Sequence, residues 1–458
     1  MTALIQALRG YQNAGIAAIR AAFAAGARSV LYVLPTGGGK TVVFSFIARA
    51  AAMLGSRVCI IVHRDSLLLQ ASRSLSDCGI PHGIIAPGHT HTRDLVQIAS
   101  VQTLARRLHR YEFDLLIIDE AHHATAGTWA RVIAAYPDAF VLGVTATPAR
   151  TDGRGLAEVF EVMVEGPTPG ELIEQGYLVR PIVYGSKKMI DLSRVAIRGG
   201  DYDRRQLAAA MDTNAITGDA IAEYSRLCPG ASALAFGVSV NHAEHIAAAF
   251  CAAGYRFKAI HGRMPVNEIR AAIEELRDHE IDGLSSCDLV TEGFDSPGIE
   301  AEIILRRTQS EALCVQMYGR VLRPAPGKTR AIIIDHADNW AIHGGPIAER
   351  AWTLEGVKRR PRRGSAESVP VRQCPMCFAC HEPAPICAAC GHVYKIESAP
   401  APTAVAGEMA EVAAELLRKK KKDEVRRART LEELQKIAAD RGYKPGWASI
   451  VYQQRGGV

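Results

Sequence analysis

The run Leu34-Pro35-Thr36-Gly37-Gly38-Gly39-Lys40-Thr41 constrains the fold of this 458-residue chain more than any other stretch. Before it, Ser29 to Leu34 is a short apolar run suited to a buried strand, and after it Val42 to Met53 has the length and apolar content of a helix. The residues between them therefore form a strand-to-helix loop, which sets an α/β framework. Three successive glycines let backbone N–H groups turn inward, Lys40 can reach β and γ phosphates, and the Thr41 hydroxyl suits Mg²⁺ at the positive end of the helix. Thr36 and the glycines complete the cradle. The strict phosphate-loop pattern asks for a small residue where this chain has Leu34.

A second apolar run, Phe113 to Ile118, delivers Asp119 and Glu120 to a strand end, where α/β sheets place their chemistry. Asp119 is suited to hold Mg²⁺, and Glu120 to orient and deprotonate an attacking water. In Gln316-Met317-Tyr318-Gly319-Arg320-Val321-Leu322-Arg323 the two arginines are three apart, and that spacing predicts one face of a helix. There they could meet a γ-phosphate as its charge grows. Together these pieces read as one NTP-hydrolysing site that uses Mg²⁺.

With Asp119-Glu120-Ala121-His122 and Thr145-Ala146-Thr147-Pro148 also in order, the chain resembles the superfamily 2 helicases and translocases of the DEAD/DEAH type over roughly its first three quarters. The resemblance makes the nucleotide ATP and implies two tandem RecA-like domains with it between them. It implies that Leu8-Arg9-Gly10-Tyr11-Gln12 reads adenine, with Gln12 on the base and Arg9 beside it. Val62-His63-Arg64 and Ser100-Val101-Gln102-Thr103 resemble the segments that touch the nucleic-acid backbone, through His63, Arg64, Gln102 and Thr103. His122, Thr145 and Thr147 resemble the elements that link hydrolysis to domain movement. In the second domain, Ala233 to Ser239 resembles the opening strand and loop, with Ser239 toward nucleic acid. Asp288 to Asp295 resembles the motif that faces both ligands, with Gly293 and Asp295 its specific part and Gln316 a further ATP contact. Many helicases carry Arg where this chain has Glu292, so no charged role passes to that position.

Bulk composition agrees with a globular enzyme, 48% hydrophobic and 22% charged. No uncharged stretch reaches the roughly 18 residues of a membrane span, and no basic-then-apolar leader opens the chain, so a cytoplasmic protein with no membrane partner is expected. The net charge of +6 is unevenly spread. Residues 355–458 carry 19 Lys and Arg against 12 Asp and Glu, whereas the first 354 carry 35 against 36. The dense runs are Lys358 to Arg363 and Arg418 to Lys422, each either a solvated linker or a phosphate-contacting patch.

Five of the 11 cysteines crowd into residues 374–390. Cys374-Pro375-Met376-Cys377 and Cys387-Ala388-Ala389-Cys390 form two knuckles spaced for tetrahedral Zn²⁺, with Gly391 after the second as in zinc ribbons. Cys380, His381 and His392 lie close by but outside the paired knuckles. The expected organisation is a RecA-like ATP-binding domain over 1–165, a second RecA-like domain over 166–355 and a basic linker over 356–370. A zinc module over 371–397, a Pro/Ala-rich linker over 398–407 and a small basic helical unit over 408–458 follow. In that last unit, Thr430 to Glu433 is a capping box and Trp447 is expected in a turn, packing a small core.

The finer resemblance is to bacterial and phage-borne helicases of the RadD type, which carry cysteine-knuckle modules after the two lobes. It implies DNA rather than RNA and a role in repair, recombination or phage replication; the zinc module could also take a protein partner. A non-enzymatic adaptor with a vestigial ATPase, or the motor subunit of a restriction or remodelling complex, are the alternatives.

Overall fold

The computed structural model describes residues 8–63, 65–125, 127–150, 154–186, 190–287, 298–356, 371–394, 425, 428, 430–441 and 446–453. Arg64, Gly293, Asp295 and both dense basic runs lie outside them, as do the Pro/Ala-rich linker and the helix expected from Glu408. The chain divides into two compact units, Met1–Lys395 and Ile396–Val458.

The larger unit contains two lobes, each built on a mostly parallel sheet. In the first lobe the strands are β1 (Ser29–Val33), β2 (Val58–Val62), β3 (His82–Ile85), β4 (Val96–Ser100), β5 (Leu115–Asp119), β6 (Phe140–Thr145) and β7 (Val162–Glu165). Their order across the sheet is β3-β4-β2-β5-β6-β1-β7. β1, β2 and β5 are buried along their whole length, which is why they read as unbroken apolar runs: helices cover both faces. β5 begins two residues later than the sequence suggests. Asp114 is drawn aside by Arg57, whose backbone N–H donates to its carboxylate at 2.7 Å and whose side chain donates at 2.8 and 3.1 Å.

The chain crosses to the second lobe through the helix Pro169–Glu174, opened by a capping box: the Thr168 and Glu171 backbone N–H groups donate to each other's side chains at 2.7 and 3.2 Å. The second sheet is entered by β8 (Pro181–Gly185), not by the segment at Ala233 that resembles an opening strand. A small hairpin, β9 (Ile197–Arg198) with β10 (Asp201–Tyr202), intervenes. Then come β11 (Ala233–Phe236), β12 (Phe257–Ala259), β13 (Gly283–Ser286), β14 (Ala301–Ile304), β15 (Ala331–Asp335), β16 (Arg372–Gln373) and β17 (Ala379–His381). The order is β12-β13-β11-β14-β15-β8-β17-β16.

The last two strands are the cysteine hairpin. The sequence sets it apart as its own module after a linker, but β17 pairs antiparallel with β8, Ala379 opposite Tyr184 and Cys380 opposite Val183. Gln373 adds a bond from Nε2 to the Gly185 carbonyl at 2.9 Å. The hairpin therefore covers an edge that β8 would otherwise expose.

The end of the second lobe returns to the first. Leu156 and Ala157 N–H groups donate to the Leu354 carbonyl at 2.7 and 2.9 Å, and Trp352 and Leu354 pack beside Leu156 and Phe160. Gly155 has to be glycine there, because a Cβ would lie 1.9 Å from the Leu354 oxygen.

In the smaller unit, helices Leu431–Asp440 and Trp447–Gln453 pack around Leu434 and Ala448. The capping box at Thr430 and Glu433 is present. Trp447 packs against that small core, as its size requires, but it opens a helix instead of sitting in a turn.

Candidate nucleotide and cysteine sites

The residues expected to handle nucleotide gather at the carboxyl ends of β1, β5 and β6. The loop after β1 runs over Pro35 to Gly39, with Gly37 and Gly39 both at φ +84°, and the helix Lys40–Met53 starts immediately beyond. Leu34 is fully buried beneath the loop, and a Cβ on Gly38 would come within 2.8 Å of it. The large residue at that position is thus accommodated by the glycines above it.

Lys40 reaches back to the Leu34 carbonyl at 3.4 Å. Burial pulls its pKa down; Glu120 and Asp119 oppose that, and Arg320 and Arg323 add to it. Asp119 ends β5, and burial together with Glu120 pushes its pKa up to about 7, against Lys40. A divalent cation held by Asp119 and the Thr41 hydroxyl would offset this crowding of buried acid, so the donor set fits Mg²⁺. Glu120 takes φ +50°, an uncommon conformation for a non-glycine residue and a frequent one at sites where strain serves geometry. Its carboxylate lies 3.5 Å from His122 Nδ1, which is 3.3 Å from the Thr145 hydroxyl; that hydroxyl accepts from Thr147 N–H at 3.1 Å.

The second lobe meets this cluster directly. Gln316 Nε2 lies 3.5 Å from both His122 Nε2 and the Thr147 hydroxyl. Gly319 abuts the phosphate loop so closely that a Cβ would sit 2.6 Å from Thr36 Cβ. The Arg323 side chain comes up beside Gly37. One expectation changes here: the helix Glu311–Tyr318 stops before the two arginines. Arg320 N–H bonds only three residues back, to Met317 at 3.1 Å, and Arg320 and Arg323 ride on the following turn. Their proximity to Lys40 follows from the turn, not from a helical face.

Arg9 and Gln12 flank the loop on its other side. Gln12 is buried and its Nε2 bonds to the Gly38 carbonyl at 3.4 Å. Two tyrosines complete this corner, Tyr11 from the expected adenine-reading segment and Tyr177 from outside every motif. Tyr11 donates to Gly38 at 2.8 Å, and Tyr177, from the crossing segment, lies edge-on to Tyr11 with Arg9 4.4 Å over its ring. A lone tyrosine in a connector gives no sequence signal.

The expected nucleic-acid contacts are more scattered. His63 follows β2 and its ring lies tilted against that of His123, centroids 4.5 Å apart, and the His123 ring lies tilted against that of His122 at 4.2 Å. Gln102 is exposed and accepts from the Ser100 hydroxyl at 2.9 Å; Thr103 is buried in the same short helix. Ser239 caps the helix Val240–Ala252, its hydroxyl accepting from His242 N–H at 3.1 Å.

In the cysteine hairpin, the Sγ atoms of Cys374, Cys377, Cys387 and Cys390 all lie within 4.8 Å of one another. Two of the pairs, Cys374 with Cys390 and Cys377 with Cys387, are 3.7 Å apart. A tetrahedron with Zn–S bonds of about 2.3 Å has edges of about 3.8 Å, so the donor set fits Zn²⁺. Cys380 faces away, toward the Phe378 carbonyl and Gly185, and burial raises its pKa.

No helix among the described residues is long and apolar enough to cross a membrane. The family model for the res subunit of type III restriction enzymes matches residues 5–150, and the model for the helicase conserved C-terminal domain matches residues 219–325. A 51.5 kDa protein of a Lactococcus phage (isolate 7-9) is 34% identical over 367 residues, which is 79% of this chain and 78% of that protein. IRC3 of Saccharomyces cerevisiae, provisionally named an ATP-dependent helicase, is 30% identical over 351 residues. That match takes in 72% of this chain and 51% of the yeast protein, so the chain spans about half of that relative. Among solved structures, a fragment provisionally assigned as the HsdR subunit of a type I restriction enzyme from Vibrio vulnificus YJ016 superposes with a TM-score of 0.59. It is 20% identical, over 74% of this chain and 67% of that one, a likeness of fold.

Proposed function

The chain belongs to the superfamily 2 helicases, and from that premise we propose that it is a DNA-acting motor that hydrolyses ATP between its two lobes and moves along or unwinds the strand. The observation that carries this reading is the contact of Gln316, Gly319 and Arg323 with His122, Thr147 and the phosphate loop of the opposite lobe. The phosphate cradle belongs to the first lobe, and Arg320 and Arg323 to the second.

The loop amides and Lys40 bind the phosphates of ATP. Thr41 and Asp119 would hold Mg²⁺, which would neutralise part of the phosphate charge. Glu120 orients the attacking water and takes its proton, while Arg320 and Arg323 meet the charge that grows on the γ-phosphate oxygens. Hydrolysis removes the group that both lobes grip, so the lobes part. His122, Thr145, Thr147 and Gln316 form the bonded path by which that change leaves the site, and His123 extends it to His63, on the expected nucleic-acid face. Gly293 and Asp295 are assigned to the same nucleotide by their motif.

DNA is favoured because the model matching the first lobe is that of a restriction-enzyme subunit, and because Val62-His63-Arg64 followed by Leu67-Leu68-Leu69-Gln70 is nearer the DNA-acting branches. The same match supports a second reading, a motor subunit within a larger restriction or remodelling assembly. The RadD-type resemblance and the similarity to a phage protein support work in repair, recombination or phage replication. Zinc on the four thiolates would be structural, since four sulfurs leave no open position for water, and it calls for the reducing conditions of a cytoplasm. The test is ATP hydrolysis with single-stranded, duplex and forked DNA and with RNA as stimulants. DNA should stimulate most; stimulation by RNA alone would overturn the substrate assignment.

A further inference from the structure

The turn that carries both arginines is held by a buried acid and a buried ammonium drawn from elsewhere in the second lobe. Glu302 stands on β14 and is completely buried. Its Oε1 accepts the Val321 N–H at 3.2 Å, and it also accepts the backbone N–H of Arg320. Lys328, buried as well, donates from Nζ to the Val321 carbonyl at 2.5 Å and to the Arg323 carbonyl at 2.7 Å. The Leu322 carbonyl between them accepts the Val179 N–H, from the segment that crosses between the lobes, at 2.8 Å. Val321 is thus gripped at both its N–H and its C=O by charged side chains.

A helix could not supply these bonds: the Val321 and Arg323 carbonyls would need donors at residues 325 and 327, and Pro324 and Pro326 stop a helix short of them. Burying a carboxylate and an ammonium is costly unless each is paired and hydrogen-bonded. The cost shows in both groups: burial pushes Glu302 up, with Arg320 and Lys328 opposing, and pulls Lys328 down to about 8, with Glu302 opposing. The second oxygen of Glu302 has no hydrogen-bond partner among the described residues. The arrangement gives the turn one path, set from outside the helix, in a place from which water is excluded. That path brings Gly319 against Thr36 and leaves the Arg320 side chain buried.

We propose that Glu302 and Lys328 are positioning residues for ATP turnover: they bracket the turn from Gly319 to Arg323 and thereby set where the two arginines meet the γ-phosphate. The proposal rests on the reading of Arg320 and Arg323 as the arginines that act on ATP. Glu302 and Lys328 bond to the backbone of the turn and belong to none of the segments expected to bind nucleotide, so their effect should fall on kcat and leave ATP binding alone.

The experiment measures kcat, KM and nucleotide affinity for Lys328→Met, Glu302→Gln and Arg320→Ala, and for each of the first two combined with Arg320→Ala. Lys328→Met keeps the length of the side chain and removes both donors; Glu302→Gln keeps an acceptor and the shape but removes the charge. Misplacing reacting groups by about 1 Å costs on the order of 10²-fold, so Lys328→Met should lower kcat by about 10- to 10²-fold with KM and affinity unchanged. Glu302→Gln should show a smaller loss of the same kind, and it serves as the test if Lys328→Met does not fold. Each double variant should lose clearly less than the product of the two single losses, because residues that act through one another are not additive. A purely structural role would instead lower kcat independently of Arg320, and additive losses would overturn the proposal. So would parental kcat in Lys328→Met and Glu302→Gln while Arg320→Ala is slow. Parental turnover in Arg320→Ala would be a different failure, that of the arginine assignment itself.

Discussion

Replacing Gly319 by alanine tests whether close approach of the lobes is what makes the site work. Gly319 lies at φ −69° in the right-handed helical region, so alanine suits its backbone and should not weaken the second lobe. The added methyl, however, would sit 2.6 Å from Thr36 Cβ and 2.9 Å from its hydroxyl. Carbon atoms in contact rest at about 3.5–4.0 Å, so the turn and the phosphate loop must separate by about 1 Å to admit it. A displacement of that size between reacting groups costs on the order of 10²-fold in rate. Steady-state ATP hydrolysis at saturating DNA should fall by that factor, with a fluorescent nucleotide bound as tightly as by the parent and thermal unfolding unchanged. Parental turnover in a folded Gly319→Ala protein would refute the claim that the lobes act in this contact.

Lys40→Ala should lose nucleotide binding or turnover, whereas Glu120→Gln should bind ATP and stall; hydrolysis at the parental rate in either would remove the phosphate-loop assignment. Elemental analysis should find about one zinc per chain; Cys380→Ser should keep it and Cys374→Ser should lose it, and metal loss in the Cys380 variant would show the ligand set to be wrong. Truncation after Lys395 should spare basal hydrolysis while weakening DNA binding and flattening its salt dependence, since each phosphate contact adds about 0.9 to the slope of log K against log salt. Equal slopes in the two proteins would reduce the run Arg418 to Lys422 to a solvated segment. Truncation after Glu355 is a harsher cut, because it also strips β17 from β8, and lower thermal stability is the expected result.

The parts of the site legible in the sequence are those written in consecutive residues. A strand, a glycine loop and a helix announce themselves at residues 29–53, and Asp119 and Glu120 stand at the end of an apolar run. Even the mismatch at Leu34 resolves locally, because Gly38 leaves room above it. Features that depend on distant partners were not legible. Spacing of three residues placed Arg320 and Arg323 on a helix, but Glu302 takes the Val321 N–H that would have continued it, and Pro324 follows directly after. Pairing of Cys380 with Val183 joins residues almost two hundred positions apart, so the cysteine hairpin read as separate. Tyr177 and His123 are ordinary residues until the fold sets them beside Arg9 and His63. The strap at Leu354 likewise leaves only Gly155 as a trace.

The central claim is that one ATPase site is assembled from both lobes, and Arg320→Ala tests it most directly because that residue belongs to the far lobe alone. ATP affinity and single-turnover hydrolysis should be measured on the same folded variant. Affinity should stay near the parental value while turnover falls by on the order of 10³. Unchanged turnover, or lost binding with normal hydrolysis of whatever ATP is bound, would contradict the account.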